Sequence, residues 1–274
     1  MTVLASFKPF RDRVGIIQMR AVENWTQTFP GARIVDFQHE ERTPVDGVER
    51  LVLGGEVGHP PTFNAIADWA AQNCRGEVCL YLNADILFEK FGGLETFEMF
   101  EKFLPDGDFL GIGQRIDTLP EGGRRLHRPS GMDYFFFRAG MFADLPQTVV
   151  GRAYYDCALV AWCLRKGVKV VDLTAVVSVL HQWHDYSHVS TGRKEVFEGV
   201  EAKANKENND LVDFGPHIAD APYAMSTDGK IIPNPKRSWL RQHGHWKIWN
   251  LLTRGGKNWR NRKREEFAII ITPT

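Results

Sequence analysis

An α/β fold, with a mixed and mostly parallel sheet flanked by helices, is predicted by three features of this chain. Short apolar runs alternate with amphipathic stretches from the N-terminal region to about His188. One of those runs, Glu77 to Asn83, is too short for a good helix and reads as a buried strand. It delivers Asp85, a carboxylate in an otherwise apolar stretch, to the point where such a strand reaches the ligand-facing edge of an open sheet. With 274 residues and 43% hydrophobic content, the chain has enough apolar material for a substantial core and is expected to fold alone.

Taken in order, Val14 to Met19 reads as a strand, Ala21 to Phe29 as a helix, and Arg33 to Phe37 and Arg50 to Leu53 as strands. Pro60-Pro61-Thr62 opens a helix to about Cys74, because Phe63, Ile66, Ala67 and Ala70 recur at helical spacing. A right-handed crossover then leads into the strand before Asp85. Leu94 to Leu104 is a further amphipathic helix, followed by a strand near Phe109 to Gly113 and a Gly- and Arg-rich loop to Pro129, expected to be mobile and exposed. Met132 to Arg138 is strand-like. Tyr154 to Lys166 is helical, with Cys157, Val160, Ala161 and Leu164 as its buried stripe and Gly167 as its stop.

Strands Val168 to Asp172 and Ala175 to Leu180 follow. Beyond His188 the pattern gives a helix from about Lys194 to Asn208, a hairpin turning at Ser226-Thr-Asp-Gly229, and a basic helix from about Ser238 to Thr253. The expected organisation is a catalytic domain over residues 1–190, a helix and β-hairpin extension over 191–235, and a basic, Trp-rich C-terminal helix and tail over 236–274. No repeat or low-complexity tract is evident.

The formal net charge of zero hides an asymmetry. Residues 236–264 hold ten of the 34 Lys and Arg and none of the 34 Asp and Glu, which leaves the rest of the chain net negative by ten. Trp239, Trp246, Trp249 and Trp259 interleave with these cations. The pattern suits a polyanionic partner, whether nucleic acid, acidic glycan or anionic membrane surface. The ordinary alternative is a helix that docks Trp246 and Trp249 on the main domain and leaves its cations solvated. The N-terminal residues lack a secretory pattern and no apolar stretch approaches a bilayer span, so a soluble, cytoplasmic protein is expected. Cys74, Cys79, Cys157 and Cys163 are spaced as neither a zinc ribbon nor a redox pair and suit buried thiols.

The candidate chemistry begins with Asp85. An ionised carboxylate among apolar residues is expensive unless compensated, which points to a metal ion; the alternative is a cap on the next turn. His181, His184 and His188 cluster at the end of the last core strand. One imidazole joining Asp85 across the sheet completes a divalent-cation site, with His181 the first choice and His184 the second. His184 and His188 could share a helix face and hold zinc, but the missing general-base Glu argues against a metallohydrolase.

Asp156 falls in the first turn of the 154–166 helix. There it either complements the helix dipole or serves as a general base, and the dipole is expected to lower its pKa. Asp133 and Arg138 either pair with each other or a neighbour, or Asp133 holds a sugar hydroxyl or acceptor group. Arg152 either contacts phosphate or covers the surface.

Several of these residues stand in a recognisable order: Gln18 after the first strand, Asn64 in the helix before Asn83-Ala84-Asp85, Asp156 in Tyr155-Asp156-Cys157, then Lys-Gly and a strand ending in His181. In this the chain resembles GT-A fold glycosyltransferases. It is most similar to the inverting family 2 type and to a bacterial and viral subgroup carrying a His-Gln-aromatic-His-Asp-Tyr-Ser-His run. The likeness covers about residues 7–210 and is most specific over 151–188. It implies a nucleotide-sugar donor, a UDP-sugar as first guess, and a Mn or Mg ion on its diphosphate. Asp85 would match the last acid of the Asp-X-Asp motif, Asp156 the acid that activates the acceptor, and His181 the late metal-binding histidine. Gln18, Arg20, Asn64, Asn83 and Asp85 are the donor candidates, and Asp133, Arg138 and Arg152 the acceptor or substrate candidates.

The motif's first acid is Asn83 here, which leaves the ion one carboxylate fewer and a metal-independent variant open. The acceptor implied is a glycan, a lipid-linked glycan or a hydroxylated nucleic-acid base. Two rivals share the same elements: nucleotidyl transfer, for which Gly15-Ile-Ile-Gln-Met is a poor phosphate loop, and a polyanion-binding protein that keeps the fold without turnover.

Overall fold

Strand β1 (Thr2–Ala5) is buried along its whole length, and helix α1 (Asp12–Thr28) returns the chain to β2 (Arg33–Gln38), which pairs parallel to it, as the computed structural model shows. The structure describes residues 1–38, 45–53, 59–184, 193–211, 215–235 and 270–271. The segment Val14 to Met19, expected to be a strand, lies inside α1. Its buried residues Gly15, Ile17, Gln18, Ala21, Val22 and Trp25 repeat every three or four positions, whereas Ile16 and Met19 face outward. That is a helical stripe, and a six-residue window was too short to show it. Gly15 lets α1 start against Phe10, whose carbonyl carbon would lie 2.8 Å from an added Cβ.

Next come β3 (Val48–Val52), α2 (Phe63–Asn73) and β4 (Val78–Leu82), with the Thr62 hydroxyl capping α2 as its sequence suggests. Strand β5 (Ile86–Phe91) and helix α3 (Phe97–Lys102) precede β6 (Phe109–Gln114). The stretch expected to be a mobile loop forms a hairpin, β7 (Ile116–Thr118) and β8 (Arg124–Leu126). Its strands are too short for an alternation pattern to stand out. Strand β9 (Met132–Arg138) leads to α4 (Tyr155–Lys166), which ends at Gly167 in the left-handed region, φ 72°.

Strands β10 (Lys169–Asp172) and β11 (Val177–His181) follow. The helix expected over 194–208 is two helices, α5 (Arg193–Glu198) and α6 (Val200–Asn208), interrupted by extended backbone at Gly199. The hairpin β12 (Tyr223–Met225) and β13 (Ile231–Pro233) turns where the sequence places it, and β14 (Ile270–Ile271) pairs with β8. The basic helix at 238–253, the four Trp residues of the 236–264 segment and His188 lie outside the described residues.

Among the described residues the main sheet has nine strands in the order β13-β12-β10-β6-β9-β4-β1-β2-β3. Strand β9 is antiparallel to both neighbours and β13 to β12, while the other pairings are parallel. This is the mixed, mostly parallel sheet that the sequence predicts. A second sheet, β14-β8-β7-β11-β5, was not anticipated.

Alternation along β9 divides the interior into two cores. Phe135 and Phe137 pack with α2 and α4 on one face, Tyr134 and Phe136 with α1 and α3 on the other, and β4 divides in the same way. No helix among the described residues is long and apolar enough to cross a membrane.

Candidate functional site

Parallel strands put their carboxyl ends on one edge of the sheet, and the antiparallel β9 brings its first residues, Met132 and Asp133, to that same edge. Strand β4 is wholly buried and releases Asn83, Ala84 and Asp85 there. The chain then reverses into β5, which pairs antiparallel with β11 so that Ile86 lies opposite His181. Two further bonds hold this corner: the Trp25 indole donates to the Ile86 carbonyl at 2.8 Å, and the Gln182 amide to the Asp85 carbonyl at 3.1 Å.

His181 Nε2 lies 3.3 Å and His184 Nε2 2.8 Å from Asp85 Oδ2. The three ligand atoms fall within 4.8 Å of one another. Asp85 Oδ1 is buried and has no hydrogen-bond partner, an arrangement that costs free energy unless something else fills the position. Burial acts to raise the Asp85 pKa, but the two imidazoles, His181 foremost, hold it well below the usual carboxylate range. His181 is raised in turn: burial lowers it and Asp85 more than offsets this. One carboxylate and two imidazoles, with an orphaned oxygen, are a donor set that fits a divalent cation.

A chain of polar contacts runs from this cluster to the start of α4. Asp117 Oδ1 lies 3.9 Å from His181 Nδ1 and accepts from Arg115 Nε at 2.9 Å. Arg115 Nη1 donates to Asp133 Oδ2 at 2.7 Å. Asn83 Nδ2 donates to Asp133 Oδ1 at 2.6 Å, and Asn83 Oδ1 accepts from the Tyr155 hydroxyl at 2.8 Å. Burial acts against the Asp117 charge, yet the His127 imidazole at 2.7 Å and Arg115 bring its pKa down to about 2.

Asn83 therefore donates and accepts at once. An acid in its place could not donate to Asp133, and would set a second carboxylate at that distance.

Next to Tyr155, Asp156 is half-buried and its Oδ1 accepts from the Cys157 amide at 2.8 Å. Its pKa is pushed up to about 7, chiefly by burial, with the nearby Asp133 adding and the Cys157 amide opposing. The expectation that the helix dipole would lower it is corrected, because loss of solvent outweighs the first-turn field. Two residues before Asp156, Tyr154 holds φ at 73°, a left-handed conformation uncommon for an aromatic residue.

The loop after β1 completes this edge. Leu4 lies opposite Tyr81, and Lys8, in the loop that follows, is near enough to feel the Asp85 charge. Gln18 grips Lys8 on both sides, accepting from its amide at 2.7 Å and donating to its carbonyl at 2.9 Å. Burial lowers the Lys8 pKa, and Asp85 partly offsets that. At the end of β2, Gln38 is buried with neither amide atom bonded.

Of the residues singled out from sequence, Asp85, His181, His184, Asn83 and Asp133 come together, and Tyr155 ties Asp156 to them. Gln18 positions the Lys8 loop. Arg20 lies exposed on α1. The expectation that Asn64 faces the donor gives way to a structural placement, since its amide binds Leu145 O at 2.6 Å and Thr148 N at 3.0 Å. Arg138 sits at the opposite edge, opposite Val78, and donates to the carbonyls of Gly107, Pro105 and Gly76. It does not pair with Asp133, because seven-residue β9 separates the two ends. Arg152 is bound to Glu201 of α6 at 2.5 Å.

Lys8, Gln38, Arg115, Asp117, His127 and Tyr155 were not anticipated. A signal existed for Arg115 and Asp117: they follow a strand at a spacing of two, which puts both side chains on one face.

No protein-family model matches the chain, and no curated protein does. Among solved structures, a mannose-1-phosphate geranyltransferase from Thermus thermophilus is similar at 13% identity and a TM-score of 0.34, over 68% of this chain and 76% of that one. A protein assigned as a glucose-1-phosphate thymidylyltransferase, from Bacillus anthracis and in complex with a sucrose, is similar at 8% identity and a TM-score of 0.33, over 79% and 98%. Scores this low carry no functional argument, and the geometry must supply it.

Proposed function

We propose that this chain is a glycosyltransferase that moves a sugar from a nucleoside-diphosphate donor, a UDP-sugar as first choice, to an acceptor hydroxyl with inversion. The observation that carries the reading is the pairing of two sites on one sheet edge: Asp85, His181 and His184 form a cation-ready cluster, and Asp156 is a carboxyl tuned to about 7. Asp85, His181 and His184 would hold a divalent cation, Mn or Mg, which would supply positive charge for the departing diphosphate.

Lys8 adds a second positive charge beside the phosphates. The unpaired amide of Gln38 offers one donor and one acceptor to the edge of a nucleobase. Asp156 takes the acceptor's hydroxyl proton while that oxygen attacks the anomeric carbon, and the bond to the diphosphate breaks with its electron pair leaving on the phosphate oxygen. Inversion of the anomeric configuration is what the resemblance to inverting family 2 enzymes implies, with Asp156 matching the acid that activates the acceptor.

Nucleotidyl transfer uses a similar edge, but its nucleophile is a phosphate oxygen already ionised at neutral pH. It has no need of a base tuned as Asp156 is. The test is donor hydrolysis: Mn-stimulated release of sugar from UDP-glucose, abolished by Asp85→Ala, supports glycosyl transfer. Release of pyrophosphate from UTP and a sugar phosphate, with no hydrolysis of UDP-glucose, would replace it with the nucleotidyl reading.

A further inference from the structure

A cavity of about 460 Å³ opens beside the start of α4, lined by Tyr154, Lys194, Phe197, Glu198, Lys203 and Lys206. The helices that border it are tied to the approach to α4. The Asn205 side chain donates to the carbonyls of Val149 and Ala153 at 2.9 and 3.1 Å and accepts from the Val149 amide at 2.7 Å. The Ala153 amide donates to the Val196 carbonyl at 2.9 Å, which fastens α5 to the approach to α4. Tyr154 borders this cavity and stands two residues before Asp156, within about 7 Å along the backbone. The left-handed φ of Tyr154 is strained for an aromatic residue and persists where the surroundings hold it in place.

We propose that this cavity is the acceptor subsite and takes a phosphorylated saccharide, an inference that rests on the glycosyl-transfer reading. Three ammonium groups around one carboxylate give a net positive lining suited to a phosphate, while Glu198 can accept from sugar hydroxyls. The volume falls in the small-ligand range. A stacked nucleobase fits less well, because the Lys206 ammonium already sits over the Tyr154 ring, 5.6 Å from its centre.

Calorimetric titration of the full chain with glucose 6-phosphate, glucose and inorganic phosphate tests this. Glucose 6-phosphate is expected to bind at least about tenfold more tightly than either fragment, and the Lys203→Gln/Lys206→Gln double variant to lose at least about tenfold of that affinity while its thermal response to Mn is unchanged. Lys203 is exposed and Lys206 half-buried over the Tyr154 ring, and an unchanged circular dichroism spectrum of the double variant checks that its fold is kept. Equal binding of inorganic phosphate alone, or unaltered binding by the double variant, overturns the subsite. Thymidine 5′-monophosphate binding about tenfold more tightly than the sugar phosphate overturns the saccharide assignment. The two readings fail separately: absent UDP-glucose hydrolysis defeats the donor chemistry, whereas intact hydrolysis without sugar-phosphate binding defeats the cavity.

Discussion

Replacing Asp156 by Asn separates the stability of α4 from its chemistry. Burial carries this carboxyl from 3.8 to about 7 in the folded chain. A gap of about three units corresponds to about 4 kcal/mol at about 1.36 kcal/mol per unit, and partial exposure brings the expected effect into a range of about 2–4 kcal/mol. The sign follows from proton binding. Between about pH 4 and pH 7 the folded state binds more protons than the unfolded one, so the associated stability is complete below the unfolded pKa and is lost as pH rises through the folded pKa.

Asn carries no charge at any pH, and its carbonyl still accepts from the Cys157 amide. Asp156→Asn is therefore expected to be about 2–4 kcal/mol more stable than the parent at pH 8 and no more stable at pH 4, while transfer falls about 10²–10⁴-fold. Urea titrations at both pH values measure the first effect, and a transfer assay the second. A variant less stable at pH 8, or one shifted equally at both pH values, contradicts the burial argument. Full transfer activity in the variant removes Asp156 from the reaction. In the parent, transfer should rise with pH and level off above about 7.

Three further outcomes are expected. Arg115→Met leaves Asp117 and Asp133 without their shared cation and should cost about 3–5 kcal/mol in urea unfolding; a loss below about 1 kcal/mol would mean that solvent already screens the pair. Gln38→Met removes an amide buried without partners, so stability should rise by about 1–3 kcal/mol while UDP affinity falls, and a drop in stability would show that the amide is bonded after all. Mn at about 100 times its Kd should stabilise the parent by about 2.7 kcal/mol, an effect absent from His181→Ala/His184→Ala and reversed by a chelator.

The parts of this fold that could be read from sequence are those governed by local rules. Helix α4 is bounded by a glycine that adopts the left-handed stop, and α2 by a threonine whose hydroxyl caps it. Strands β4 and β9 announce themselves as apolar runs because both faces are buried. Elements that exist through distant partners stayed hidden. Strand β5 is a strand because β11 pairs with it, and the hairpin β7–β8 because it seats against β11. The cation cluster was legible in its residues, Asp85 and two imidazoles, but their convergence depends on a pairing that no local pattern encodes.

Asn83 shows where residue type and structure meet. From sequence it is a missing carboxylate that weakens the case for a metal. In the folded chain its amide is the bond between Asp133 and Tyr155, and so between the Arg115–Asp117 chain and the turn that carries Asp156. A carboxylate there would repel Asp133 at hydrogen-bond distance and could serve Tyr155 only as an acceptor. The sequence reading leaves one carboxylate and one imidazole for an ion, and the folded chain adds a further donor, because Asp85 gathers both His181 and His184. Position 83 thus ties Asp133 to the turn that carries Asp156, while the β11 terminus and the residues after it bring two imidazoles to Asp85.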